Sequence, residues 1–229
     1  MHESIAFLWD MDGTLVDTAE LHYQAWLQTC QKLGSTFTRD HFAATFGKRN
    51  PEIIQYLFDS RFTVQESNRI GDEKELTYRL AAQQQGVGLL PGVEKLLDQA
   101  SKQGVRQAVA SSAPRANVEL ILRLTQTSRY FHTQVAMEDT QRGKPDPEVF
   151  MKAADRLHVP YHRCIVFEDA IAGIQAAKTA GMWCVGVHFV GHHPPEPMRL
   201  AGADWVVPSL CEVLFDELLR RVYFPVFPV

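Results

Sequence analysis

Asp10 and Asp12 stand one residue apart directly after the apolar run IAFLW (5–9). Two acids at that spacing repel one another. Either they make an ordinary helix cap or Asx turn, helped by Gly13 and Thr14, or they serve one ligand in two roles. Three other segments carry reactive groups: Ser111 and Ser112 follow VRQAVA (105–110), Lys144 lies in RGKPDP (142–147), and Glu168 and Asp169 follow CIVF (164–167). Read singly, each has a plain explanation, Asp169 as the cap of a helix starting at Ala170 and Lys144 as a solvated loop lysine. Gathered in one crevice, three or four carboxylates would raise one another's pKa values unless a cation neutralised them. Oxygen-only ligands of this kind suit Mg2+, which keeps several waters and also grips a substrate phosphate. With the cation present, an ionised carboxylate can approach an anionic phosphoryl group.

For these groups to meet, the acids and serines must lie at the carboxyl ends of strands in one parallel sheet, where ligands collect in open α/β folds, with Lys144 on a loop before a helix. The apolar runs IAFLW, VRQAVA, CIVF, WCVGVH (183–188) and WVV (205–207) alternate with helical patterns at 91–104, 114–124, 146–159 and 170–181. Gly104 and Gly181 stand where a helix C-terminal glycine belongs, each just before a strand. The expected fold class is α/β, with a doubly wound, Rossmann-like parallel sheet. Between the first and second runs lies an interval far longer than a normal crossover, and it reads as helical through AELHYQAWLQTCQKLG, RDHFAATFG, NPEIIQYLF and a pattern from Val64 to Gln85. Asp17 followed by Glu20 resembles a capping box with Asp in place of Ser or Thr, and Gly34 suits the end of that helix. The expectation is a helical cap domain over 18–86, inserted into a core domain made of 1–17 and 87–229 and hinged near 15–18 and 86–91.

The 229-residue chain is 45% hydrophobic, enough for one sizeable core or a core carrying a smaller insertion. A net charge of −4 and the absence of any dense Lys/Arg run leave no footprint for nucleic acid or an anionic membrane. No window approaches a membrane span. The start of the chain, with Glu3 and a short apolar run ending at Asp10, lacks a signal peptide's basic start and long apolar stretch. Cys30, Cys164, Cys184 and Cys211 are widely separated with no CxxC pair, which reads as reduced thiols in the cytoplasm. His188, His192 and His193, with Pro194, Pro195 and Pro197, read as a proline-stiffened surface loop, since no carboxylate or cysteine joins them at a ligand spacing. The terminal FPVFPV is apolar but broken by prolines, and packs on the core or on a partner subunit.

The run Asp10-Met11-Asp12-Gly13-Thr14-Leu15-Val16-Asp17 resembles the DxDGTLxD motif of the haloacid dehalogenase-like superfamily of phosphotransferases. The strand ending in Ser111, the lysine of GKPDP and the acidic pair of FEDAIAGIQAAKTAG (167–181) follow in that superfamily's order, so the resemblance spans nearly the whole chain. It implies that Asp10 attacks phosphorus to form an aspartyl-phosphate, and that Asp12 protonates the leaving oxygen and later takes a proton from water. It further implies that Ser111 hydrogen-bonds a phosphoryl oxygen while Lys144 neutralises charge and holds Asp10. Mg2+ would be held by the side chains of Asp10 and Asp169, the backbone carbonyl of Asp12, and Glu168 directly or through water. The dehalogenase branch lacks the second acid that Asp12 provides, and the phosphonatase branch has a small residue there and depends on a Schiff-base lysine.

The cap placement and the string VDTAELH (16–22) resemble the β-phosphoglucomutase-like subfamily of mutases and sugar-phosphate phosphatases. Thr18 and His22 match positions that couple cap closure to the acid in the mutase; in a phosphatase His22 orients Asp12, or is simply polar on the first cap helix. In the cap loop TFGKRN (45–50), Phe46 and Asn50 occupy the places flanking Gly47 where the mutase has a lysine and an arginine. Lys48 and Arg49 either reach a second phosphate or a sugar carboxylate from shifted positions or are solvated. Ser112 joins this substrate-binding set, and Arg115, near the place of an asparagine, either touches the phosphate or lies on a helix face. The function this implies is a Mg2+-dependent phosphatase acting on a small-molecule phosphate ester, a sugar phosphate, as a monomer or homodimer. The alternatives are a phosphomutase and a non-catalytic regulatory or binding protein of the same fold.

Overall fold

The computed structural model describes residues 4–190 and 194–223. Its centre is a six-stranded, all-parallel sheet in the order β3-β2-β1-β4-β5-β6. The strands are β1 (Ala6–Trp9), β2 (Arg106–Ala110), β3 (Thr133–Val135), β4 (Cys164–Glu168), β5 (Trp183–Val187) and β6 (Trp205–Val207). All four residues of β1 are buried, because helices cover both faces of a parallel sheet and leave no solvent side to alternate toward. On one face Phe7, Trp9, Ile165 and Phe167 pack with α5 (Val93–Lys102) and α6 (Arg115–Leu124), and the Trp9 and Phe167 rings stack 4.1 Å apart. On the other, Ala6, Leu8, Cys164 and Val166 meet α7 (Glu148–Leu157) and α8 (Ile171–Thr179).

The register aligns the strand ends that matter. Trp9 pairs with Val109 on one side and Phe167 on the other, so Asp10, Ala110 and Glu168 reach the carboxyl edge together. The chain runs from β1 outward through β2 to β3 and then returns to β4 on the opposite side of β1. That reversal opens the crevice outside the strand ends in which ligands of such sheets bind.

After β1 the chain leaves the sheet to form the helical cap: α1 (Ala19–Lys32), α2 (Arg39–Thr45), α3 (Asn50–Phe58) and α4 (Val64–Gln85). The cap has its own apolar centre around Trp26, Phe37, Phe42, Ile54 and Phe58. The two connecting segments lie side by side, with Val16 bridged to Leu89 and the Leu90 amide donating to the Leu15 carbonyl at 2.9 Å. Gly34, Gly104 and Gly181 follow their helices with positive φ, as their positions suggested.

Four features differ from the sequence reading. The Asp17–Glu20 capping box does not form: α1 starts after Thr18, whose side chain caps nothing, while Glu20 pairs with Arg39 on α2. The threonine hydroxyl is engaged at Asp12 instead. Strand β3, TQV, was not anticipated because an edge strand of three residues with only Val135 buried leaves no apolar run to read. The segment read as a proline-stiffened loop contains a short helix, α9 (Pro195–Leu200), since proline's fixed φ suits a first helical turn and Met198 is buried beneath it. A last helix, α10 (Phe215–Tyr223), closes the described chain; His192, His193 and FPVFPV lie outside the described residues, and His188 directly follows β5.

Candidate active site

Asp10 continues the ladder of β1 by one residue, its amide donating to the Phe167 carbonyl at 3.0 Å. That bond fixes the backbone from which its carboxylate projects. Lys144, with 2% of its side chain exposed, donates to Asp10 Oδ1 and Glu168 Oε1, both at 2.5 Å. The other oxygen of Glu168 accepts from the Ala170 amide at 2.7 Å, at the start of α8. Ser111 is buried beside this group, its Oγ accepting from the Ala113 amide at 3.0 Å. Two glycines make room for the acids. A Cβ at Gly13, where φ is +93°, would lie 2.0 Å from Asp169 Oδ2, and one at Gly173 would lie 1.7 Å from Glu168 Oε1.

The electrostatics are those of a charge cluster short of positive charge. Burial pushes Asp10 up to about 8 despite the opposing pull of Lys144, with repulsion from Glu168 adding to the rise. Burial, then Glu168 and Asp10, push Asp169 well above the ordinary carboxylate range. Lys144 is also buried, but its two carboxylate partners hold its pKa above the usual lysine value. One ammonium thus stands against three acids and touches two of them. Carboxylate oxygens of Asp10, Glu168 and Asp169 lie within 4.8 Å of one another, and the buried Asp169 Oδ2 has no hydrogen-bond partner among the described residues. An orphaned oxygen in an all-oxygen cluster is what a hard divalent cation such as Mg2+ would satisfy, so the residues fit that ion.

Asp12 is handled differently. Its carboxylate accepts from the Thr18 hydroxyl and faces His22 Nε2 at 3.4 Å. Burial raises its pKa, but the His22 and Thr18 interactions outweigh that and hold it below its ordinary value. Lys74 Nζ donates to His22 Nδ1 at 2.7 Å, so the imidazole's other nitrogen carries the proton that faces Asp12. Tyr78 stacks on the His22 ring at 4.0 Å and fixes its plane. The second acid is therefore tied to the cap, whereas the first is tied to the core.

The cleft between them opens to solvent and has room for about 60 Å3 of water-accessible space. Of the residues marked out in the sequence, Asp10, Asp12, His22, Gly47, Lys48, Asn50, Ser111, Ser112, Lys144, Glu168 and Asp169 all line it. Thr18 sits behind Asp12. Two arginines do not reach the cleft lining: Arg115 pairs with Asp139 while its amide donates to Glu138, and Arg49 donates to backbone carbonyls of the core loop before Lys144. Asn50 faces the cleft with its amide given to Glu75 Oε1 at 2.9 Å.

Sequence reasoning passed over Lys74 and Glu75, both buried in the cleft wall, and Asn117, whose amide donates to Glu75 Oε2 at 2.6 Å from the core side. Inside GDEKEL they look like ordinary solvated charges. A signal was nevertheless present: Ile70, Lys74, Tyr78 and Ala82 recur every four residues as the buried stripe of α4, with a lysine where an apolar residue belongs.

A family model described as haloacid dehalogenase-like hydrolase matches residues 7–187. The chain is 32% identical over 219 residues to the β-phosphoglucomutase of Bacillus subtilis, covering 93% of both. It is 31% identical over 195 residues to the fructose-1-phosphate phosphatase of Escherichia coli, covering 83% of this chain and 100% of that one. The crystal structure of a β-phosphoglucomutase from Clostridium difficile shares the fold with a TM-score of 0.85 at 27% identity, over 96% of this chain and 97% of that one.

Proposed function

The chain belongs to the haloacid dehalogenase-like hydrolase family, and on that premise we propose that it is a Mg2+-dependent phosphatase of a small phosphorylated metabolite, a sugar phosphate. The observation that carries the reading is the unequal treatment of two neighbouring acids: Asp10 is held by a buried lysine at the sheet edge, and Asp12 by cap residues across the cleft. One suits a nucleophile, the other a proton shuttle.

Asp10 attacks phosphorus, forming the aspartyl-phosphate as the bond to the leaving ester oxygen breaks. Asp12 delivers a proton to that oxygen. It is ionised beforehand, and as the negatively charged ester arrives and raises its pKa it takes up from solvent the proton that it then delivers. Once deprotonated it accepts a proton from a water molecule that attacks the aspartyl-phosphate, releasing inorganic phosphate and restoring Asp10. Ser111 and Lys144 supply donors to the phosphoryl oxygens. When bound by Asp10, Asp169, the Asp12 carbonyl and Glu168, Mg2+ supplies charge neutralisation for the carboxylates and the transferring group. The segment 18–86 acts as a cap that excludes bulk water during these steps. All four cysteines are free, which suits the reducing cytoplasm as the setting.

A phosphomutase is the second reading, favoured by the resemblance to the Bacillus subtilis enzyme. A mutase must hold a bisphosphate with one phosphate at each end of the cleft. Here Arg49 and Arg115 are engaged elsewhere, which favours hydrolysis. Incubation with β-glucose 1-phosphate and a trace of bisphosphate separates the two: inorganic phosphate is the expected product, and accumulation of glucose 6-phosphate would identify a mutase. Asp10→Asn and Asp12→Asn are each expected to abolish turnover across a phosphate-ester panel while the protein stays folded. A wild-type protein inactive on that panel with Mg2+ would leave only the non-catalytic alternative.

A further inference from the structure

Arg49 is the one long cationic side chain of the cap loop that turns away from the cleft and into the core. Its Nη1 donates to the carbonyls of Thr140 and Gln141 at 3.3 and 3.2 Å, and its Nη2 to the Arg142 carbonyl at 2.7 Å and to the Thr140 hydroxyl. Three successive carbonyls converge on one guanidinium because the amides of Gln141 and Arg142 point the other way, both donating to Glu148 Oε2 at 2.9 Å. The loop is thereby clamped from both sides, by Glu148 of core helix α7 and by Arg49, the residue just before cap helix α3. Gly143 completes the seam. A Cβ there would lie 2.7 Å from Glu52 Oε1 and 3.0 Å from Arg49 Nε, so a side chain at this position would push the Glu52 carboxylate aside and press on the Arg49 guanidinium. Lys144 follows immediately, with its ammonium on Asp10 and Glu168.

We propose that Arg49 is a positioning residue, a cap-borne clamp on the loop 140–143 that sets Lys144 against the nucleophile when the cap is closed, and not a ligand of the substrate. A guanidinium suits the task, since its planar fork presents donors to several carbonyls at once, whereas an ammonium is a point charge that cannot span them. Closing the cap then does more than exclude water. It tightens the loop carrying the lysine that the phosphoryl transfer needs, which couples closure to chemistry.

The proposal rests on the phosphatase reading and can fail separately from it. Arg49→Ala, Arg49→Lys and Gly143→Ala are compared with wild type, with saturating Mg2+, on p-nitrophenyl phosphate, which has no second anionic group, and on fructose 1,6-bisphosphate. The clamp predicts a fall in kcat of ~10- to 100-fold on both substrates in both Arg49 variants, with KM for p-nitrophenyl phosphate little changed, a misplacement of about 1 Å being enough for a loss of that size. Gly143→Ala, which removes no charge or donor, is expected to move kcat in the same direction. Losses confined to the bisphosphate, or seen only in KM, would make Arg49 a substrate ligand and overturn the proposal, as would wild-type kcat in Arg49→Lys. A readout independent of turnover is hydrogen exchange at the Gln141 and Arg142 amides, expected to quicken in Arg49→Lys and Gly143→Ala. Unchanged exchange there defeats the clamp even if every variant is active, while an inactive wild type defeats the phosphatase reading alone.

Discussion

Lys144 and Lys74 are buried to the same extent, each with 2% of its side chain exposed, and each faces acid in the cleft. Lys144 lies between two carboxylates at 2.5 Å, beside the uncompensated Asp169, so its neighbourhood keeps an excess of negative charge. Lys74 has one acid, Glu75 at 2.9 Å, and spends another donor on His22. Glu75 is completed in turn by the amides of Asn50 and Asn117. The first cluster is short of a cation and the second is closed on itself. A buried site with unmet charge awaits a ligand, whereas a balanced buried network holds structure together and aims its members.

Replacing each lysine by methionine tests that contrast. Lys144→Met is expected to lower kcat by ~10³-fold, the cost of removing one preorganised donor from a developing charge, while thermal unfolding with Mg2+ changes little. Should turnover survive within about tenfold, Lys144 would not be acting on the transferring group. Lys74→Met strands Glu75 as a buried charge, and urea unfolding should show a loss of ~3 kcal/mol or more, with Glu75→Leu in the same chain restoring part of it. A stability change under ~1 kcal/mol would mean the cap network is not the closed unit described.

The smallest effect expected is on the pH dependence of stability. Burial by itself would raise the Glu75 carboxyl, but the charge of Lys74, then His22 and the hydrogen bonds from Asn117 and Lys74, bring it down to about 2. With the folded value depressed, the unfolded chain binds the proton more readily. The contribution of Glu75 is therefore fully present above about pH 5 and is lost as pH falls toward 2. Melting temperatures between pH 6 and 3 should fall less steeply in Glu75→Gln than in wild type. Parallel curves would assign the acid sensitivity to other carboxylates.

The two lysines also mark how far local sequence could be read. Lys144 sits in RGKPDP, a short loop string just before α7, whereas the other reactive strings end β1, β2 and β4, whose termini a parallel sheet carries to one edge. Asp10, Ser111 and Glu168 were legible for that reason: an apolar run and the polar residue ending it are neighbours in the chain. The cap follows another logic. Lys74 is hidden among Asp72, Glu73 and Glu75, and only its place on the stripe Ile70, Tyr78, Ala82 tells it from its exposed neighbours. Thr18 was marked out only through the resemblance of VDTAELH to the mutases, since nothing local tells that its hydroxyl is used on Asp12, six residues earlier. Strand β3 could not be seen at all, since its order comes from pairing with β2 and not from its own residues.

By itself the sequence determined the alternation of five of the six strands with helices, the long helical interval after β1 and the acids that follow β1 and β4, because each depends on residues adjacent in the chain. Only the tertiary structure decided what the cap's charges do. Lys48 and Arg49 are consecutive and both cationic, yet one lines the cleft and the other grips carbonyls more than ninety positions away. A guanidinium goes where unpaired acceptors converge, and which acceptors converge is a property of packed elements that no local string of residues contains.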